Sequence, residues 1–488
     1  MTNIPILKNY INGEWIKSDS TDIREVLNPA TGEVIAKVPM STVKETEEAI
    51  KAADKAFARW RRTIPVTRAR YLFDLKALME SRFEELARQV VIENGKVIDE
   101  ARGEIRRGIE NVELATGIPS LMMGYNAEDV AVEIDEMVVR QPMGVFFCLA
   151  PFNFPSMVPL WFLPNAVATG NTYIVKPSPI APISTVKLFE LIDEIGFPDG
   201  VINLVHGDID SANTLLDSPI TKGVSFVGST AVGKQVYARA AANGKRAQVQ
   251  AGAKNFLLVM PDADLERTAS ALMTSCYGCA GERCLAGAVI LAMEDIHESL
   301  VNLLVEKAKM IRVGNGLEEG IQMGPVITAK AKARTIDYIE QGLKEGATLL
   351  LDGRGVKVDG HPNGFFVGPT IFDNVKPEMC IAKEEIFGPV MSVIKVKSFE
   401  KALEIIHANP YGNASSIFTS SGGWARRFGY EVQTGNVGIN IGIAAPVAHF
   451  PFSGMKNSFF GDLHGQGRDG IRFFTEDKVI ITRWFEGS

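Results

Sequence analysis

The chain has 488 residues, 46% hydrophobic and 22% charged, with a formal net charge of −7, so it should divide into two or three globular domains and avoid nucleic acid and anionic membranes as main partners. No apolar run reaches membrane-span length, the best stretch from Met157 to Val175 being broken by Pro159, Pro164 and Asn165. Five scattered cysteines form no disulfide framework and the N-terminus lacks the marks of a signal peptide, so a reduced, cytoplasmic protein is expected.

Residues 42–62 and 66–94 read as long amphipathic helices, with Pro65 opening the second and Gly95 just past its end. Val130-Ala131-Val132-Glu133-Ile134 and Met137-Val138-Val139-Arg140 read as paired strands that leave the main body. From about residue 143, β-rich runs at 144–149, 172–175, 201–205 and 223–227 alternate with helical segments. That alternation predicts a parallel sheet with crossover helices, an α/β fold. A second alternating series begins near Asn255. Lys478 to Trp484 reads as a third strand of the arm. A strand-rich arm is an aggregation hazard unless a partner chain covers it, so a homo-oligomer is expected.

Three motifs suggest chemistry that their context does not support. Gly228 to Gln235 nearly spells a nucleotide-triphosphate loop, but Gln235 stands where Ser or Thr must hold magnesium. Gly465-Gln466-Gly467-Arg468-Asp469-Gly470 fits the dinucleotide fingerprint letter for letter. No strand precedes it and too little chain follows, so a loop is expected there. Cys276 and Cys279 form a CxxC pair, but zinc needs four ligands, and Cys148 and Cys380 are isolated. The pair reads as helix packing, and no metal is expected.

Two stretches carry a sharper signal: Gly281-Glu282-Arg283-Cys284, and upstream Gln250-Ala251-Gly252-Ala253-Lys254-Asn255. Together they resemble the catalytic centre of the aldehyde dehydrogenase superfamily. Asn28 to Glu33, Pro151-Phe152-Asn153-Phe154-Pro155, Lys176-Pro177-Ser178, Phe226 to Ser229, Glu384 to Pro389 and Phe452-Ser453-Gly454 match that superfamily in order. Gly108 to Asn111, Pro119 to Gly124 and Ser458 to His464 add a narrower resemblance to the methylmalonate-semialdehyde dehydrogenase group.

The resemblance implies an aldehyde dehydrogenase-like fold in three parts. A Rossmann-type dinucleotide-binding domain would span 1–120 and 143–252, an α/β catalytic domain 253–440, and a β oligomerisation arm 121–142 and 466–488. It implies that Cys284 attacks the aldehyde and that the Asn153 amide holds the developing oxyanion. Nearby cations would lower the thiol pKa. The cofactor would lie against Phe152, Lys176, Ser178, Gly228, Ser229, Gly252, Glu385 and Phe387, with the helix N-terminus after Gly228 facing the pyrophosphate. NAD is expected. Pro179 stands where NAD-preferring relatives carry an acid, which leaves NADP open. Arg107 and Arg283 would hold a substrate carboxylate, for which the guanidinium fork is suited; by itself Arg107 reads as part of a solvated, ion-paired helix face.

Gln250 stands where the superfamily's general base is a Glu, and Gln takes no proton at neutral pH. The implied acyl acceptor is therefore coenzyme A as co-substrate. The implied reaction converts methylmalonate or malonate semialdehyde to propionyl- or acetyl-CoA. A hydrolytic enzyme using another base is the alternative. Which semialdehyde is used, and whether assembly stops at a dimer or a tetramer, stay open.

Overall fold

The computed structural model describes residues 4–485. Two large sheets organise the chain. The first has eight strands, five of them parallel at its centre, in the order Ile202–Leu204, Thr172–Lys176, Val145–Leu149, Thr221–Val227, Arg246–Gln250. Strand order therefore reverses beside Val145–Leu149, and in open α/β sheets ligands bind outside the carboxyl ends of strands at such a point. Val145–Leu149 is a wholly buried apolar run and Thr172–Lys176 is buried throughout, as in strands covered by helices on both faces. Phe146, Phe147, Ile174 and Val224 have no exposed surface.

The second sheet has seven strands, Asn255–Val259 and Gly287–Met293 at its centre, parallel except at one edge. A separate antiparallel sheet joins Tyr125–Ala131 and Thr475–Arg483 to the two sides of Ile134–Pro142. It leaves Tyr125, Val132, Ile481 and Trp484 exposed. Among the described residues no helix is long and apolar enough to cross a membrane.

Two local expectations need correction. Residues 66–94 form two helices, Pro65–Ser81 and Phe83–Asn94. Arg82 between them leaves helical geometry (φ −111°, ψ 22°), and Ser81 Oγ donates to the Leu78 carbonyl, a back-bond that bends helices. Gly95 does end the second helix in the left-handed region, at φ 90°. The stretch from Gly465 to Gly470, expected as a loop, opens a short helix, Gly467–Phe473. Apolar packing drives it: Phe473 and Phe474 are buried edge-to-face on Phe146.

Candidate active site

The nucleophile loop begins where the helix Leu265–Tyr277 ends. Cys279, Ala280 and Gly281 all have positive φ (51°, 51° and 76°). This corrects the placing of Cys279 on a helix: only Cys276 lies on one. Gly281 is required, since a Cβ there would lie 2.3 Å from the Gly388 carbonyl oxygen. Glu282 is buried and accepts the Ile327 N–H at 3.1 Å. Burial pushes its pKa up to about 8. Beyond the loop, the Cys284 carbonyl accepts from Asn255 Nδ2 (2.9 Å) and Asn413 Nδ2 (2.8 Å), which fixes the backbone under the sulfur.

Asn153 approaches from the other sheet, on the loop after Val145–Leu149. Its Nδ2 donates to the Glu282 carbonyl at 3.1 Å. Lys96 Nζ donates to the Asn153 carbonyl at 2.8 Å and pairs with Glu104, both side chains fully buried. Glu104 also accepts the Ser156 and Met157 N–H groups (2.9 and 3.1 Å). It thereby caps the helix Met157–Thr169, whose own N-cap makes no side-chain bond. Sequence reasoning missed Lys96, Glu104 and Asn413. A signal for Glu104 existed: at helical spacing it falls on the apolar stripe with Ala101, Ile105 and Ile109.

Cys284, Arg107 and Arg283 line one cavity of about 230 Å³, together with Phe154, Trp161 and Phe452. Arg283 lies 3.5 Å from Glu100, and its Nη2 donates to Cys279 Sγ at 3.2 Å. Arg107 donates to the Ala445 carbonyl (3.2 Å) and lies 3.5 Å from Glu110. The thiol pKa departs from expectation. Burial, followed by the Glu385 carboxylate, pushes Cys284 up to about 12, and Arg283 with the Cys284 and Leu285 N–H groups only partly opposes this. Gln250 lines neither this cavity nor the smaller one behind Cys284. With its amide oriented so that nitrogen donates to the Phe226 carbonyl (3.3 Å), its oxygen accepts the Gly465 N–H (3.0 Å).

The residues expected around a dinucleotide fall at the carboxyl ends of the first sheet and on the facing loop. Gly228 follows Thr221–Val227, and Ser229 is the N-cap of Thr230–Ala242 without a side-chain cap bond. Glu385 Oε1 accepts the Ala253 N–H at 3.0 Å, and a Cβ on Gly252 would lie 2.7 Å from Glu385 Oε2. Burial pushes Glu385 up to about 7. Phe152 and Phe387 meet edge-to-face at 5.9 Å. Lys176 Nζ donates to the Gly207 carbonyl at 2.7 Å, and burial lowers its pKa to about 8. Ser178 Oγ accepts the Ile180 N–H at 3.3 Å, a local turn.

A switch-point crevice beside a cysteine whose carbonyl is clamped and which lines a cavity is the architecture of an enzyme with a cysteine nucleophile and a bound cofactor. The chain belongs to the aldehyde dehydrogenase family, whose model matches residues 15–480. It is 49% identical to malonate-semialdehyde dehydrogenase 2 of Geobacillus kaustophilus over 483 residues, covering 99% of this chain and 100% of the relative. The structure of methylmalonate-semialdehyde dehydrogenase from Oceanimonas doudoroffii is similar at a TM-score of 0.98 and 43% identity, with 99% of each chain covered. A Sinorhizobium meliloti 1021 protein assigned as a methylmalonate-semialdehyde dehydrogenase, solved with NAD, gives a TM-score of 0.98 at 40% identity, over 100% of this chain and 99% of that one.

Proposed function

We propose that this enzyme oxidises malonate or methylmalonate semialdehyde and transfers the acyl group to coenzyme A. One observation carries the reading: two arginines share the cavity of Cys284. An aldehyde that bears a carboxylate would be held by its charged end with its carbonyl at the sulfur. The relatives named for these two semialdehydes support the same substrate class.

Cys284 Sγ adds to the aldehyde carbon, and the thiol proton leaves to solvent. The oxygen of the adduct would accept from the Asn153 amide, whose loop Lys96 and Asn94 hold through its backbone. NAD, when bound, supplies the acceptor for the hydride lost from that carbon. The free N-cap Ser229 and the close Gly252–Glu385 approach fit such a dinucleotide. An acyl thioester then remains on Cys284. The substrate carboxylate departs as CO2 and the carbon it leaves takes a proton from solvent; the thiolate of coenzyme A takes the acyl group and expels the Cys284 thiolate, giving acetyl- or propionyl-CoA. Gln250, bonded to backbone on both ends, supplies no base for water. The carboxyl group of Asp208 acts electrostatically on Lys176, and an acidic residue at that place favours NAD over NADP. The exposed apolar arm supports assembly into a dimer or tetramer through that sheet.

The experiment is reduction of NAD and of NADP by each semialdehyde and by propanal, with coenzyme A present. Preference for a semialdehyde with NAD, and an acyl-CoA product, supports the reading. Equal use of propanal would overturn it.

A further inference from the structure

Gln466 holds backbone angles that belong to glycine. Its φ of 68° and ψ of 177° fall in a region that side-chain-bearing residues enter only under strain. Surrounding bonds enforce the conformation. Gly467 donates to the Ala448 carbonyl (3.0 Å), Gly470 to the Gln466 carbonyl (2.9 Å), and Phe452 to the Gly465 carbonyl (2.8 Å). The residue is 3% exposed, yet its carboxamide is unpartnered among the described residues: Oε1 meets no donor, and the Nε2 hydrogens, which a carboxylate could accept, meet no acceptor. It lines the cavity of Cys284, Arg107 and Arg283.

Either anomaly alone would be unremarked. A buried carboxamide is ordinarily satisfied, and strained angles persist where surrounding structure aims a side chain at a site. Both occur in one residue, at the wall of the acyl cavity. The function proposed above, on which this inference rests, says what ligand needs an amide there. A carboxylate offers about four lone-pair sites, and one guanidinium fork fills two of them. Both arginines are already shared with protein acceptors, Arg283 with Glu100 and Cys279, Arg107 with Ala445 and Glu110. The rest of the wall is mostly apolar, with Phe154, Met157, Leu285, Ile443 and Phe452, and carries Glu100, Glu104 and Asn111 besides. A carboxylate desolvated there needs further donors.

We propose that Gln466 is a specificity-determining residue whose side-chain N–H donates to the carboxylate of the semialdehyde, alongside Arg107 and Arg283. A neutral carboxamide adds that donor without adding a third positive charge, and the fold holds it in place at the expense of backbone strain.

The test compares wild type, Gln466→Gly and Gln466→Glu as full chains with NAD and coenzyme A, reading kcat/KM for malonate semialdehyde and for propanal, and Tm. Gln466→Gly should raise Tm, because relief of strain exceeds the extra freedom glycine gains on unfolding. It should lower kcat/KM for malonate semialdehyde by about ten- to a hundredfold, the range of a charge-assisted hydrogen bond, and change propanal by less than about twofold. Gln466→Glu keeps the shape but sets a carboxylate against a carboxylate. It should lose at least as much on malonate semialdehyde and again spare propanal. Equal losses on both substrates, or unchanged selectivity in both variants, would overturn the proposal and mark a structural role. A wild type with no preference for the semialdehyde would instead overturn the functional reading beneath it.

Discussion

Asn153 and Glu282 are joined by a 3.1 Å hydrogen bond from the Asn153 amide to the Glu282 carbonyl, and this bond ties the loop of the proposed oxyanion donor to the loop of the nucleophile. One loop leaves a strand of the first sheet and the other leads into a strand of the second, so their register decides whether the amide and Cys284 can act on one carbonyl. Lys96 and Glu104 hold the Asn153 side of that register from a site without solvent.

Lys96→Met should therefore cost both stability and activity. It leaves the Glu104 carboxylate buried without its cation, a loss of about 3–5 kcal/mol. Urea unfolding monitored by fluorescence would read the loss, and a midpoint equal to wild type would contradict it.

Cys284→Ala should abolish NADH formation, and Cys276→Ala should retain most of it, since Cys276 packs in the apolar core away from the acyl cavity. Cys279→Ala removes the sulfur that accepts from Arg283. Its expected effect is a raised KM for the semialdehyde with kcat for propanal little changed. Turnover retained in Cys284→Ala would refute the covalent route.

Arg107→Leu should reduce selectivity for malonate semialdehyde over propanal by about ten- to a hundredfold, as expected for loss of a bond worth about 1.5–3 kcal/mol. Equal losses on the two substrates would assign Arg107 to the helix surface alone.

Alkylation of Cys284 by iodoacetamide should climb steadily with pH. Its thiol is pushed up to about 12 in the free enzyme, so the thiolate fraction at neutral pH is small and rises about tenfold per pH unit through pH 7–10. Arg283→Met removes the cation that opposes this shift and should slow alkylation further. A plateau below pH 8 would contradict the burial argument.

Much of the fold was legible because local signals agreed with packing. Pro65 and Gly95 bracket helical chain, and apolar runs from residue 144 onward became the parallel strands. The break at Arg82 was not, because it depends on a back-bond from Ser81 rather than on a Gly or Pro. At the site, the Gly-Glu-Arg-Cys stretch and the Pro-Phe-Asn-Phe-Pro loop stood out as motifs, and the structure brings Asn153 to the residues next to Cys284. The pKa of Cys284 was not legible: adjacency of Arg283 in sequence said nothing of burial or of Glu385 across the cleft. Gln466 was read inside a glycine-rich loop, where neither its dihedral angles nor its cavity could be inferred from spacing.

On the proposed route the acyl group leaves Cys284 for coenzyme A, not water. Water, with a pKa of ~15.7, benefits from a general base by about 10²–10⁴-fold, and Gln250 offers none. Stopped-flow NADH absorbance with malonate semialdehyde, with and without coenzyme A, tests this most directly. The account predicts a burst of one NADH per active site followed by slow turnover without coenzyme A, and at least about tenfold faster turnover with it. Fast steady-state oxidation without coenzyme A, yielding the free acid, would contradict it.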